Sequence, residues 1–236
     1  MNFEFSNKQN YKNNSEFRIP NSELNIAPVI LAAGDSKRMG YPKALLPLGR
    51  ELFLTRILRV LRDAGFPRPR LILGRAAAQI EARIREWPVD ILINHEPERG
   101  QLSSIQIGLD GLSETFDAAM IWPVDQPAVS VELVRGLADL FFRENCRAAL
   151  PLFGERRGHP AIFHRTLFQE FMDAPLMEGP RSVLLKYRPE TCFLPVEEAA
   201  SVEDIDTPEE YRILTGRSLD AALKDVTRDG NQFCKT

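Results

Sequence analysis

Cysteine and histidine are both scarce, with three residues of each. Cys146, Cys192 and Cys234 are odd in number and far apart in the chain. That argues against a disulfide framework or a Cys-rich metal site and fits a reducing, cytoplasmic setting. His95, His159 and His164 show no spacing with cysteine that would make a zinc site. No apolar run approaches the ~20 residues that span a bilayer. The amino terminus, rich in Asn, Ser and Lys, has no apolar segment of the signal-peptide kind. Charge of one sign is also missing: 30 Lys and Arg against 33 Asp and Glu leave a net charge of -3. Such a balance gives no overall drive toward nucleic acid or an anionic membrane, so neither is expected as a partner.

What is present fits a globular protein with a sizeable core: 44% hydrophobic and 27% charged residues in a chain of 236. That length suits one domain with tails. Residues 1–25 lack a sustained apolar period and read as a disordered extension. A single domain is expected over 26–215, followed by a flexible polar tail over 216–236. Within the domain, 26–31, 70–73, 89–93, 118–122 and 148–152 read as strands. The stretches 52–64, 76–87, 102–112 and 131–143 read as helices, the first from the spacing of Phe53, Ile57, Val60 and Leu61. The second half is less regular. It has a strand entry at 158–163, helical stretches at 165–172 and 181–187, a strand at 191–196, and a short helix at 208–214 capped by Thr207. This alternation predicts an α/β fold: a three-layer, mostly parallel, doubly wound Rossmann-like sheet. In such sheets ligands bind beyond the carboxyl ends of the strands.

The stretch that organises the chain lies at 29–47. A short apolar run breaks into a loop with Gly34 and Gly40, and with Lys37, Arg38 and Lys43 against Asp35. Small residues let backbone N–H groups approach a ligand, and the cations suit a polyphosphate. Gly-Asp-Ser by itself would be an ordinary turn. Other residues also carry two readings on their own. Asp125, just past the fourth strand, is a ligand-edge carboxylate or a turn aspartate before proline. Asp206 is a metal ligand or part of a helix start with Thr207 and Pro208. Ser104 faces a ligand, or its neighbour Ser103 merely caps a helix. His159 touches a ligand or is a turn histidine before Pro160.

The run Leu31-Ala-Ala-Gly-x-Ser-x-Arg-Met-Gly-x-x-Lys43-x-Leu-Leu-Pro47 closely resembles the signature loop of the MobA-like NTP transferase family, the nucleotidyltransferases related to molybdenum cofactor biosynthesis. It is neither a Walker A loop nor the dinucleotide Gly-x-Gly-x-x-Gly. Asp125-Gln-Pro, Gly158-His-Pro, Ile205-Asp-Thr-Pro and the segment 100–109 resemble further motifs of that family, so the resemblance spans about residues 28–214. It implies the nucleotide-diphospho-sugar transferase type of fold. It also implies Mg2+-dependent transfer of CMP from CTP to a phosphorylated, molybdopterin-type acceptor, with a molybdoenzyme or its maturation factor as a further partner.

The same resemblance assigns roles residue by residue. Leu31, Ala32, Ala33, Gly34, Ser36, Arg38, Lys43 and Ser104 would bind the nucleotide. Arg38, Lys43 and Asp125 would be catalytic, Asp125 and Asp206 would hold the metal, and His159 and Arg181 would meet the acceptor. Ala33 stands where guanylyl-transferring relatives have a second glycine, which favours CTP. Gln101-Leu102 departs from the family's Met-Ser, and Pro180 replaces an alanine. Two rival readings keep parts of this: transfer to a sugar or polyol phosphate, and a non-catalytic nucleotide and cofactor carrier.

Overall fold

The structure is a computed structural model that describes residues 25–197 and 199–228. Except for Asn25, the expected amino-terminal extension lies outside the described residues. The strands are β1 (Ile26–Ala32), β2 (Pro47–Leu48), β3 (Glu51–Leu52), β4 (Arg70–Leu73), β5 (Asp90–Ile93), β6 (Ala118–Pro123), β7 (Ala148–Phe153), β8 (Arg156–Arg157), β9 (Ala161–His164) and β10 (Thr191–Pro195). The helices are α1 (Phe53–Ala64), α2 (Ala77–Glu81), α3 (Gln101–Leu109), α4 (Val131–Arg143), α5 (Phe168–Asp173), α6 (Arg181–Lys186), α7 (Pro208–Thr215) and α8 (Leu219–Arg228).

β1 is apolar throughout because both faces of the sheet are covered, and every one of its residues is buried. Ile26, Ile30 and Ala32 enter the core under α1 and α4, while Val29 and Leu31 enter the core under α3 and α5. Helices on both faces thus make the expected three layers. The sheet runs β10-β7-β9-β6-β1-β4-β5, with β8 paired to β7, and β2 and β3 form a separate hairpin. β6, β1, β4 and β5 are parallel neighbours, and β10 is parallel to β7. β9 runs antiparallel between β6 and β7, a reversal that the residue pattern at 158–163 does not show. Leu31 pairs with Pro123, and Ala32 with Leu73. The carboxyl ends of β1, β4 and β6 are therefore level, and the loops that follow them share one edge.

Helix ends follow their local chemistry. Gly65, at φ 102°, ends α1 in the left-handed conformation that glycine adopts most easily. Ser130 caps α4 by accepting from Leu133 N–H at 3.1 Å. Three expectations need correction. The helix expected over 76–87 stops at Glu81, and Arg83, Ile84 and Trp87 form i→i+3 turns instead. These turns lead into Pro88, which disfavours helix in the residue before it. The polar tail expected over 216–236 contains α8, with Leu219 and Ala222 buried. A stripe at Leu219, Ala222 and Leu223 was hidden in a polar composition, and it packs against α7 and β2. Residues 229–236 lie outside the described residues.

The third correction concerns cysteine. Cys146 and Cys192 are joined by a disulfide, with Cα atoms 5.9 Å apart. Parallel pairing of β10 with β7 brings together residues that are 46 apart in sequence. Among the described residues, no helix is long and apolar enough to cross a membrane.

Candidate active site

The loop after β1 builds its own shape. Ser36 sits at φ 51°, in the left-handed region. Its carbonyl accepts from Met39 and Gly40 N–H at 3.1 and 2.9 Å, and its Oγ accepts from Lys43 N–H at 3.1 Å. The loop is therefore curled around Ser36, and the Lys43 side chain is turned inward, with 11% exposure. Gly74, at the end of β4, lets the next loop press against this one: a Cβ there would lie 2.3 Å from the Ala33 carbonyl oxygen. Asp35, at the rim of the cavity beside the loop, pairs with Arg75 at 2.5 Å and with Lys37 at 3.6 Å. Arg75 also reaches Glu98 at 3.1 Å, a rim contact that sequence reasoning missed.

Two carboxylates from distant segments meet this loop. Asp125 follows β6, and the preceding Val124 N–H donates to Leu31 O at 3.0 Å. Asp206 precedes α7. Ile205 N–H donates to the Asp125 carbonyl at 2.9 Å, which ties the two carboxylate loops together. The double reading of Asp206 is resolved by the helix start. Thr207 Oγ1 accepts from Glu210 N–H at 3.2 Å, and Glu210 accepts from the Asp206 and Thr207 N–H groups, each at 2.8 Å. Thr207 and Glu210 make the capping box, which leaves the Asp206 carboxylate free for the site. α7 is held in place by Tyr211, whose hydroxyl donates to Pro47 O at 2.7 Å, just past the β1 loop.

The result is a compact charge cluster. Lys43 Nζ lies 2.9 Å from Asp125 Oδ2 and also contacts Asp206 Oδ1. Arg38 Nη2 lies 2.7 Å from Asp206 Oδ2. Burial pushes the Asp125 carboxyl above the ordinary carboxylate value, with Lys43 opposing it. Burial would raise Asp206 too, but Lys43 and Arg38 outweigh it and hold this group low. Burial works against the Lys43 ammonium, yet the two carboxylates raise its pKa above the ordinary lysine value. Asp125 Oδ1 is buried without a hydrogen-bond partner among the described residues. Two carboxylates with an unused oxygen suit magnesium, which takes one or two protein carboxylates and fills its octahedron with water and phosphate oxygens.

Two adjoining cavities open on this cluster. One, of about 480 Å³, is lined by Ala32, Ser36 and Lys43. The other, of about 400 Å³, is lined by Ala33, Ser104 and His159. Leu31, Gly34, Arg38, Asp125 and Asp206 border both. Every singled-out residue but one is thus at the site. Arg181 is exposed at the start of α6 and borders neither cavity.

Ser104 is buried, and its Oγ accepts from Asn94 Nδ2 at 2.9 Å; Asn94 donates to Ser103 Oγ at the same distance. Asn94 was missed, although a lone asparagine ending an apolar strand was a usable signal. Ser103 does not cap α3, because its hydroxyl donates to Gly100 O at 2.8 Å. Gln126, 3% exposed, was also missed. It accepts from His159 N–H and donates to Asp204 Oδ1, both at 2.7 Å.

Residues 28–191 match the model of a family described as the MobA-like NTP transferase domain. Nicotine blue oxidoreductase of Paenarthrobacter nicotinovorans is 29% identical over 199 residues, covering 80% of this chain and 96% of the relative. Molybdenum cofactor cytidylyltransferase of Escherichia coli K12 is 26% identical, covering 78% and 92%. A probable molybdenum cofactor guanylyltransferase of Mycobacterium tuberculosis H37Rv is 29% identical, covering 67% and 77%. The crystal structure of Rv0371c from M. tuberculosis H37Rv superposes with a TM-score of 0.71 at 29% identity, covering 82% of this chain and 98% of that one. The same protein in complex with manganese gives a TM-score of 0.70 at 27% identity, covering 81% and 98%.

Proposed function

Because this chain belongs to the MobA-like NTP transferase family, we propose that it transfers CMP from CTP to the phosphate of a molybdopterin-type cofactor. An oxygen of the acceptor phosphate attacks the α-phosphorus in line. The bond from the α-phosphorus to the bridging oxygen breaks, and pyrophosphate leaves with that electron pair. The observation that carries the reading is Lys43 Nζ held between Asp125 and Asp206, with Arg38 beside it. Two cations and two carboxylates at the end of a strand loop are what phosphoryl chemistry needs.

Arg38, with 69% side-chain exposure, is free to swing onto the β- and γ-phosphates. Lys43 is buried and preset to counter charge at the α-phosphate. Asp125 and Asp206 would hold Mg2+, which when bound neutralises phosphate charge and aligns the oxygens. Ser36 shapes the nucleotide loop, and Asn94 fixes Ser104 at the base side. Ala33 borders the same cavity as Ser104, and the methyl it carries in place of a second glycine would leave less room there, which favours the smaller base of CTP. His159 sits on the acceptor side.

The test is pyrophosphate release from CTP and from GTP, with Mg2+ or Mn2+, with and without purified molybdopterin. Acceptor-dependent release with CTP is the expected result. Release with GTP alone overturns the base assignment. Redox turnover without pyrophosphate release would align the chain with its oxidoreductase relative instead. Nucleotide binding with neither reaction would favour the carrier reading.

A further inference from the structure

The disulfide sits at one end of a strand pair whose other end carries a wall of the site. That wall is the Gly158–His159 turn together with the segment from Val202 to Asp206. His159, Asp204 and Asp206 line the cavity of about 400 Å³ along with Ala33 and Gly34 of the loop after β1. Cys146 lies just before β7, and Cys192 is the second residue of β10. The two strands run parallel, with Thr191 beside Ala148 and Pro195 beside Leu152. Both halves of the wall hang from successive carbonyls of β7. Pro151 O accepts from Gly158 N–H at 3.0 Å and holds the turn that carries His159. Leu152 O accepts from Val196 N–H at 2.9 Å and holds the chain that runs on from β10 toward Asp204 and Asp206. The halves then lean on each other. A Cβ on Gly158 would lie 2.5 Å from Val202 Cγ1, Arg156 pairs with Glu203 at 3.2 Å, and Gln126 accepts from His159 N–H and donates to Asp204.

β10 is the less secure member of the pair. It is an edge strand, and among the described residues β7 is its only neighbour in the sheet. None of its five residues is fully buried, although Cys192 and Leu194 pack against the core under α4. The bond from Cys192 to Cys146 is thus the covalent tie between β10 and the start of β7. It closes a loop of chain that contains β7, β8, β9, α5 and α6. The two cysteines differ in access. Cys146 is 5% exposed within the core, while Cys192 is half-buried on the edge strand. A thiolate from solution therefore meets the bond from the Cys192 side.

We infer that Cys146 and Cys192 form a thiol–disulfide switch that sets how firmly this wall is held and leaves the loop after β1 unchanged. A dithiol reductant opens it in two steps. One thiolate of the reductant attacks Cys192 Sγ, the S–S bond breaks, and its electron pair leaves on Cys146 Sγ, which then takes up a proton. The second thiolate of the reductant attacks the reductant's own sulfur in the mixed disulfide and releases Cys192, which is protonated in turn. The protein gains two electrons and two protons, and the reductant leaves as a cyclic disulfide. With the tie open, only backbone hydrogen bonds and packing hold β10 to β7. A strand of five residues opens as a unit, so the Val196–Leu152 bond opens with it and the segment from Val202 to Asp206 loses its anchor. The loop after β1 is closed by its own bonds to Ser36, and none of them passes through β7 or β10.

Three measurements on the full chain test this. The first counts thiols by alkylation and mass spectrometry. Without reductant one of the three cysteines should be labelled, and after dithiothreitol under native conditions all three. Three labels without reductant, or a bond that opens only in denaturant, overturns the switch. The second is thermal melting. Reduction should lower the melting temperature by about 10 °C, because the bond joins residues 46 apart in sequence. An unchanged melting temperature overturns the inference. The third is amide hydrogen exchange. Reduction should quicken exchange at Val196 and from Asp204 to Asp206 about tenfold, and from Ser36 to Leu46 less than about twofold. Equal quickening in both regions makes the bond a general staple and overturns the switch. Cys192→Ser, prepared without reductant, should exchange like the reduced wild type and ignore dithiothreitol. A variant that exchanges like the oxidised wild type overturns the inference. Cys234→Ser, which removes the third thiol, should respond to dithiothreitol as the wild type does, and a lost response assigns the effect to Cys234 instead. Reduction should also raise the acceptor KM for pyrophosphate release about threefold while the CTP KM holds. That last readout alone rests on the transfer reaction proposed above. A chain without acceptor-dependent release removes that reaction, and the thiol count and the exchange pattern still decide the switch.

Discussion

The loop after β1 and the wall facing it are built in opposite ways. The loop closes on itself: Lys43 N–H reaches Ser36 Oγ only seven residues back, and Met39 and Gly40 reach the same residue's carbonyl. The wall is stitched across the chain. His159 reaches Gln126 over 33 residues, Gln126 reaches Asp204 over 78, and Ile205 N–H meets the Asp125 carbonyl. Lys43 is where the two meet, 82 residues from Asp125 and 163 from Asp206. A locally closed loop keeps its shape if the fold around it loosens slightly. A wall held by long-range bonds keeps its shape only while the sheet edge and the 203–207 segment stay in register. Changes in the loop should therefore read out in nucleotide affinity, and changes in the wall in stability and acceptor affinity.

The largest expected effect breaks the junction. Asp125→Asn removes one of the two carboxylates that meet Lys43, the pair proposed to hold the metal, and should cut kcat/KM for pyrophosphate release about a thousandfold, in line with the loss of one preorganised electrostatic group. A metal titration should show the matching loss of Mn2+ affinity. Near-wild-type turnover would remove Asp125 from the site. Next comes the stitch itself. Gln126→Leu leaves the His159 N–H without its partner and frees Asp204. It should cost about 2 kcal/mol in a denaturant melt and raise the acceptor KM about tenfold, while CTP affinity stays within about twofold. Equal losses on both sides would erase the distinction between loop and wall.

A smaller effect is expected at the helix start that presents Asp206. Glu210→Ala opens the capping box and should cost about 1 kcal/mol at pH 7. The Asp206 backbone N–H, with Thr207 adding to it, holds the Glu210 carboxyl below its ordinary value against the opposing effect of burial. A depressed folded-state pKa contributes stability above the unfolded value, near 4.5, and that stability is lost as pH falls through the folded one. The gap between wild type and variant should thus be full at pH 6 to 7 and shrink below about pH 4.5, which paired thermal melts would check. The smallest effect is in the loop. Ser36→Ala removes only the bond to Lys43 N–H, and should weaken CTP about threefold to tenfold without a measurable change in melting temperature.

The contrast also explains what could be read from the residues. Arg38, Lys43 and the turn glycines were legible because their chemistry lies within one short stretch whose spacing is the structure. Strands β1, β4 and β6 and helices α1 and α4 were legible because a packed core imposes its period on the residues. Asp125 and Asp206 were visible as candidates, but each kept a plain alternative until the Thr207–Glu210 box and the Asp125–Ile205 bond were seen. Gln126 gave little warning, because an amide that bridges distant segments leaves no periodic trace. α8 was lost in the charge around its short apolar stripe. The Cys146–Cys192 bond was lost because it depends on which strand pairs with β7.

By itself, the sequence determined the class of fold, the small-residue loop after β1 with its cations, and the shortlist of carboxylates and the histidine. All of these rest on nearest-neighbour chemistry and on hydrophobic periods of two and 3.6 residues. Only the tertiary structure decided that β9 runs backwards, that Arg181 stands away from the site, and that Lys43 bridges Asp125 and Asp206. It alone placed His159 on the wall, pinned by Gln126 and Asp204. The physical reason is that hydrogen bonds and charge pairs across tens of residues depend on strand order and register, and no local run of residues encodes either.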